Sequence, residues 1–241
     1  FIIHRSLPSP PLPYTTLAAH YDAVMAHVDY PGWARHYRNL WRLVHGRRQP
    51  RRVLELAAGT GRLAANGPFR SAFTVRTDLS AGMLRLADAP HRAACDARAL
   101  PFPAARFDAV LMAYDSLNYL TRPEDLRRCL GEVRRALTPG GLFLFDVTTA
   151  ACSRRWFADA LDVLDTPAGT AIRHSRYDAE TRTQLNLFTF FTEGPDGRFE
   201  RAEEVHRQRI WPAAFLKKEA RGAGFTVRAC LADFTLEPGG D

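Results

Sequence analysis

The chain has 241 residues, 46% hydrophobic, 11% aromatic and 24% charged, a balance that excludes disorder over most of its length and suits one large domain or two small ones. The net charge of +7 raises the question of nucleic acid, but eight arginines crowd into residues 1–52 and lysine occurs only at Lys217 and Lys218, so the excess is a feature of one segment. No apolar run approaches the roughly 20 residues of a bilayer-spanning helix, and Cys95, Cys129, Cys152 and Cys230 make no CxxC pair, which argues against a disulfide framework or a zinc site and for reduced thiols in a cytoplasmic setting.

The chain opens on Phe1 rather than methionine, so its natural start is expected upstream, and Phe1-Ile2-Ile3 is too short for the apolar core of a signal peptide. Residues 7–13 (LPSPPLP) read as an extended lead-in. Two helices are predicted next: residues 15–28, then one in which Trp33, Tyr37, Leu40, Trp41 and Val44 share a face, with Arg35, Arg38 and Arg42 largely off it. From Val53 strands and helices alternate. Residues 53–56 form a short apolar strand running into Ala57-Ala58-Gly59-Thr60-Gly61. Residues 73–77 form a second, ending at Asp78, and Ser80 is placed to cap a helix bearing Met83 and Leu84. A third ends near Cys95-Asp96, and residues 107–113 form a fourth whose apolar centre suits burial on both faces. Thr121 and Glu124 have capping-box spacing, with Pro123 in the first turn of a helix whose stripe is Leu126, Cys129, Leu130, Val133 and Leu137. Pro139-Gly140-Gly141 is expected to stop it before a fifth strand, residues 142–147.

This alternation predicts an α/β fold with a doubly wound, mostly parallel sheet. After Val147 the rhythm changes. Residues 185–192, a Gly194-Pro195-Asp196-Gly197 turn and residues 199–210 read as an antiparallel hairpin, an inserted β layer. A helix over 212–223 and a last strand over 226–234 follow.

The chemistry concentrates at the strand ends. Glu55 stands at the end of the first strand, before a glycine turn that permits positive φ and close approach of a ligand. Gly59-Thr60-Gly61 is followed by Arg62-Leu63-Ala64, so the third glycine of a dinucleotide fingerprint is missing, which argues against NAD or FAD. Asp78, 17 residues after Gly61, can accept from both hydroxyls of a ribose. Asp96, after the third strand, can accept from an exocyclic adenine amine while the N–H of Ala97 meets a ring nitrogen.

The segments VLELAAGTGRLA, TDLSAGML, CDARALPF, FDAVLMAYDSLNYL and LRRALTPGGLFLFDV, in this order over residues 53–147, resemble the successive motifs of class I S-adenosylmethionine-dependent methyltransferases. PYTTLAAHYDAVM and FERAEEVHRQRIWP resemble a bacterial small-molecule-type subgroup, and sugar N-methyltransferases and glycine N-methyltransferase are similar in broad layout. One departure is Ala57, where many members have glycine. The resemblance implies a Rossmann-like domain over 53–149 and 212–241, a helical cap over 1–52 and a substrate lid over 150–211. It implies S-adenosylmethionine as cofactor, S-adenosylhomocysteine as product and no metal. Ala57, Gly59 and Gly61 would cradle the methionine moiety, Asp78 the ribose, Leu79 and Met83 the adenine face, and Asp96 and Ala97 its edge. Tyr114 would lie beside the sulfonium, with Tyr14 and Tyr21 closing over the cofactor.

Acceptor-side candidates come from the loop after the fourth strand (Asp115, Ser116, Asn118, Tyr119) and from the strand 203–209. By period two Glu204, His206 and Gln208 share one face and Glu203, Val205, Arg207 and Arg209 the other, and either could look into the site. Asp115, His206 and Tyr114 are the catalytic candidates, and Trp211 either walls the pocket or packs in an interface. The leading expectation is methylation of a small molecule by direct in-line transfer, with no membrane partner. The alternatives are a tRNA or rRNA methyltransferase, favoured by the basic second helix, and a non-catalytic S-adenosylmethionine-binding regulator.

Overall fold

The computed structural model describes residues 13–67, 69, 71–232, 235 and 237–240; apart from Pro13, the proline-rich lead-in lies outside them. Two helices come first, α1 (Leu17–Val24) and α2 (Tyr30–His45). Asp29 caps α2 by accepting from Gly32 N, 2.8 Å away. The buried stripe of α2 is Tyr30, Ala34, Tyr37 and Trp41, while Val44, expected on it, is exposed.

The alternating part runs β1 (Arg52–Leu56), α3 (Arg62–Ala65), β2 (Phe73–Asp78), α4 (Ala81–Leu86), β3 (Arg92–Ala94), β4 (Phe107–Met112), a 3-10 turn (Ser116–Tyr119), α5 (Pro123–Ala136) and β5 (Leu137–Phe145). Ser80 caps α4 through Met83 N. The five strands are parallel, in the order β3-β2-β1-β4-β5. The order turns back between β1 and β4, and such a switch point opens a crevice at the carboxyl ends of the strands. Both faces of β1 and β4 are covered. Leu54, Leu56, Val110 and Met112 pack with Leu126, Cys129, Leu130 and Val133 of α5. Val53, Ala109 and Leu111 pack on the other side with Tyr37 and Trp41 of α2 and Leu63 of α3.

Two local expectations fail around α5. Its N-cap is Arg122, with no side-chain bond, because Pro123 takes the first helical position and leaves Thr121 outside the cap. Its end is Ala136, and the Pro-Gly-Gly segment lies inside β5, not before it. Leu137 already pairs with Phe107, then the register jumps to Ala109 with Leu142, so residues 138–141 form a bulge. Only glycine fits at Gly141, where a Cβ would stand 2.8 Å from the Asp108 carbonyl oxygen.

After β5 come α6 (Ala150–Trp156) and a four-stranded antiparallel meander, β6 (Asp159–Thr166), β7 (Gly169–Asp178), β8 (Thr183–Glu193) and β9 (Phe199–Arg209), then α7 (Ala213–Gly222). The hairpin β8–β9 matches the sequence pattern. The strands β6 and β7 were not foreseen, because β6 turns Leu161 and Val163 outward and the inner face of the sheet is partly polar, with Ser175, Gln184, Asn186 and Gln208 bonded among themselves. The strand expected at 226–234 is absent among the described residues, where only an isolated bridge joins Leu231 to Pro238. Phe225, just before it, packs on Phe143, but the described residues that follow pair with no strand of the sheet.

Candidate active site

The turn after β1 is built from left-handed residues: Ala57, Gly59 and Gly61 have φ of 49°, 57° and 75°. A Cβ at Gly59 would stand 3.3 Å from Met83 Cε and 3.8 Å from the Tyr21 ring, so the missing side chain leaves the space these residues enclose. Gly61 serves differently from expectation. It lies off the cavity wall and lets the turn pack on Arg76 and Ala87, 3.1 and 3.3 Å from where its Cβ would be. Asp78 ties the turn to α4, accepting from Gly59 N on Oδ2 and from Ser80 N on Oδ1, each at 2.8 Å. Burial raises its carboxyl above the usual range against these bonds.

Glu55 is buried, and burial pushes its carboxyl up to about 7, opposed by Arg76 and the Ala64 N–H. Its Oε2 has no hydrogen-bond partner and stands 3.6 Å from Arg76 Nε, which has none either. Asp96 is gripped by Arg98, which also reaches Asp125 at 3.0 Å, and the guanidinium holds the Asp96 carboxyl below the usual range.

These groups wall a cavity of about 480 Å³ at the carboxyl ends of β1 to β4. Glu55, Ala57 and Gly59 come from β1 and its turn. Asp78, Leu79 and Met83 follow β2, and Asp96 and Ala97 follow β3. Tyr114 follows β4, and Tyr14 and Tyr21 line the cavity from the N-terminal segment. Of the cofactor-side residues singled out in the sequence, the structure brings together all but Gly61. Tyr30 and Tyr119 complete the aromatic part of the wall.

The turn after β4 is strained. Tyr114 and Asp115 both have positive φ, 58° and 47°, a costly conformation for non-glycine residues that persists where surroundings enforce it. Asp146, just beyond β5, does so by accepting from Tyr114 N at 2.9 Å, Asp115 N at 2.8 Å and the Tyr37 hydroxyl at 3.0 Å. Burial still pushes Asp146 up to about 7. The Tyr114 hydroxyl is buried without a hydrogen-bond partner.

Two catalytic candidates do not reach the wall. Asp115 points behind it, accepting from Gln208 Nε2 at 2.8 Å and the Thr148 hydroxyl at 2.9 Å. His206 is 1% exposed and stands behind Tyr119 and Tyr14. Of the two faces of β9, the one bearing Glu204, His206 and Gln208 is buried inward. No residue of 150–211 lines the cavity, and the antiparallel sheet backs it through the two tyrosines. Trp211 is a packing residue, stacked on Phe215 and donating to the Leu120 carbonyl. Asn118 is structural too, bridging Arg209 O and Thr148 N.

The N-terminal segment joins the two sheets. Glu204 receives Thr16 N at 2.7 Å, Leu17 N at 3.0 Å and Tyr14 N, capping the start of α1 from β9. Leu17 and Val24 pack on Ala171, Phe188 and Phe190. On the other side Asp22 accepts from Thr60 Oγ1 at 2.8 Å and takes a two-point grip from Arg62, clamping α1 to the glycine turn. Asp146 and Asp22 were missed. Asp146 had a signal, an acid closing a strand as at Glu55 and Asp78, whereas Asp22 had none.

A model of the methyltransferase domain matches residues 53–141. A protein of Geobacillus sp. (strain WCH70) named as a methyltransferase is 30% identical over 233 residues, covering 93% of each chain. Among solved structures, an S-adenosylmethionine-dependent methyltransferase from Clostridium acetobutylicum superposes with a TM-score of 0.76 at 22% identity, over 94% of this chain and 93% of its own. The sugar N-methyltransferase KedS8 from Streptoalloteichus sp. does so with a TM-score of 0.72 at 21% identity, over 93% and 90%.

Proposed function

The chain belongs to the class I methyltransferases, and on that premise we propose that it transfers a methyl group from S-adenosylmethionine to a small molecule. The observation that carries this reading is that Glu55, Asp78 and Asp96, from three successive strand ends, line the same cavity. The residues fit the cofactor. The buried Glu55 carboxylate, whose Oε2 makes no hydrogen bond and only a 3.6 Å ion-pair contact with Arg76, suits the cationic amine of the methionine part. Asp78 would take the ribose hydroxyls, and Asp96 with the Ala97 N–H the adenine edge between Leu79 and Met83. Gly59 leaves the room, and Tyr14 and Tyr21 exclude water.

The bound cofactor supplies an electrophilic methyl group on a sulfonium and leaves as a thioether. The protein's part is alignment and desolvation, since the donor is already activated. A small-molecule acceptor is supported by a second cleft of about 590 Å³ at the start of α2, lined by His27, Asp29, Trp33, His36 and Asn39. Tyr114 walls both this cleft and the first cavity. The sugar N-methyltransferase likeness points the same way. Calorimetry with S-adenosylhomocysteine in the presence of a chelator tests the reading: saturable binding at one site per chain is expected, and no heat together with no thermal shift would overturn it.

A further inference from the structure

Behind the cavity runs an unbroken chain of hydrogen bonds. The Tyr14 hydroxyl donates to the Tyr119 oxygen at 2.9 Å, Tyr119 stands 2.7 Å from His206 Nδ1, and His206 Nε2 stands 2.8 Å from Glu204 Oε1. Its inner end is sealed, with Glu204 0% and His206 1% exposed, and its outer end is open, since both phenols line the cavity. The direction of each bond is fixed by its neighbours. Glu204 already accepts three backbone N–H groups, so it acts as a carboxylate, and although burial raises its pKa, His206 and those N–H groups carry it below the usual range. Nε2 therefore bears the proton shared with Glu204, and Nδ1 is left to accept from Tyr119. Tyr119 in turn accepts from Tyr14.

Resting on the methyltransferase reading, we infer that Glu204, His206 and Tyr119 form a relay that removes a proton from the methyl acceptor, with Tyr119 the group that meets it, His206 the group that takes up the proton of Tyr119 and Glu204 the group that orients His206. The relay has the logic of a carboxylate–histidine–hydroxyl triad turned to proton removal. As the acceptor's oxygen or nitrogen uses its electron pair to bond the methyl carbon, its O–H or N–H bond breaks. That proton goes to the Tyr119 oxygen directly or by way of Tyr14, and the proton of Tyr119 moves to His206 Nδ1. The resulting imidazolium is held against the Glu204 carboxylate, and the thioether leaves with the C–S electron pair. Burial holds the phenols of Tyr14 and Tyr119 well above their ordinary pKa, so no standing phenolate is needed or formed; the proton passes through. The charged and titratable groups around the relay are Asp115, Tyr21 and Asp78, with Phe188 closing over the imidazole. The relay restricts the acceptor to groups that must lose a proton, hydroxyls or amines, and disfavours acceptors with no such proton.

A test free of the unknown acceptor uses sinefungin, the cofactor analogue with an amine in place of the sulfonium methyl, against S-adenosylhomocysteine. The amine is expected to donate to the relay, so wild type should prefer sinefungin, and Tyr119→Phe should cut that preference by about ten- to a hundredfold, the worth of one charged hydrogen bond. His206→Ala should cut it less, and His206→Asn, which offers an amide oxygen near the Nδ1 position, should restore it. A merely structural role would move both ligands together. S-adenosylhomocysteine binding with a preference unchanged in Tyr119→Phe would overturn the relay alone, while failure of wild type to bind either ligand would overturn the underlying reading.

Discussion

Asp78 shows how a single side chain holds both the scaffold and the expected ligand. Its two oxygens already fix the N–H groups of Gly59 and Ser80, and a carboxylate has about four acceptor sites, so capacity is left for a ligand in the cavity that Asp78 lines. Asp78→Ala is expected to weaken S-adenosylhomocysteine binding by about ten- to several-hundred-fold, two charged hydrogen bonds less relaxation. Calorimetry on the folded variant checks this, and unchanged affinity would remove Asp78 from the site. Glu55 makes the opposite prediction for stability. Its carboxyl is raised to about 7 by burial, so the ionised form costs folding free energy once the pH passes that value. Glu55→Gln should therefore stabilise the ligand-free protein by about 1–3 kcal/mol at about pH 8 and weaken binding of the cofactor's cationic amine by about tenfold. A variant that melts lower than wild type at that pH would contradict this. At this scale most of the cofactor side was legible, because acids closing successive strands leave a mark in sequence. The partners that place them were not: Asp22 touches Thr60 and Arg62 across 38 and 40 positions, and no local pattern announces such a contact.

At the scale of elements, α1 joins the glycine turn to the antiparallel sheet beside the cavity. It is clamped to the glycine turn by Asp22 and to β9 by Glu204, while its Tyr21, with Tyr14 just before the helix, lines the cavity. The Asp22–Arg62 pair is about half exposed, so it adds little to global stability. Asp22→Ala is accordingly expected to leave the melting temperature nearly unchanged while speeding dissociation of S-adenosylhomocysteine by about three- to tenfold, on the modest worth of an exposed ion pair plus the Thr60 bond. Stopped-flow displacement measures it, and an unaltered rate would mean that α1 does not gate release. The β-α alternation, with strands buried on both faces, was readable because it writes apolar runs into the sequence. The strands β6 and β7 were not, since Leu161 and Val163 face outward while Ser175 and Asn186 pair inside, reversing the usual code. The bulge in β5 was hidden because Pro-Gly-Gly reads as a stop, and only the pairing of Leu137 with Phe107 reveals that the strand has already begun.

Across the whole molecule, the site is stored as buried carboxylates. Glu55 and Asp146 are both raised to about 7. A carboxyl whose folded pKa exceeds its unfolded value contributes stability while protonated and loses it as the pH climbs through the folded value. Ligand-free protein should therefore lose about 1–2 kcal/mol of stability between about pH 6.5 and about pH 8.5, and S-adenosylmethionine, by pairing Glu55 with a cation, should reduce that loss. Denaturant titrations at both pH values check it, and a rise in stability over that window would contradict the burial of these acids. The α/β layer and the N-terminal segment wall one cavity, the antiparallel sheet backs it, and in the proposed reaction a methyl group leaves it on a small molecule. The direct measurement supplies the protein with S-adenosylmethionine labelled in its methyl group and an extract of the source cells, then separates the low-molecular-mass fraction from RNA and protein. Enzyme-dependent label is expected in the low-molecular-mass fraction and is expected to be lost in Asp78→Ala; label confined to RNA or protein, or remaining wholly on the cofactor, would overturn the small-molecule reading.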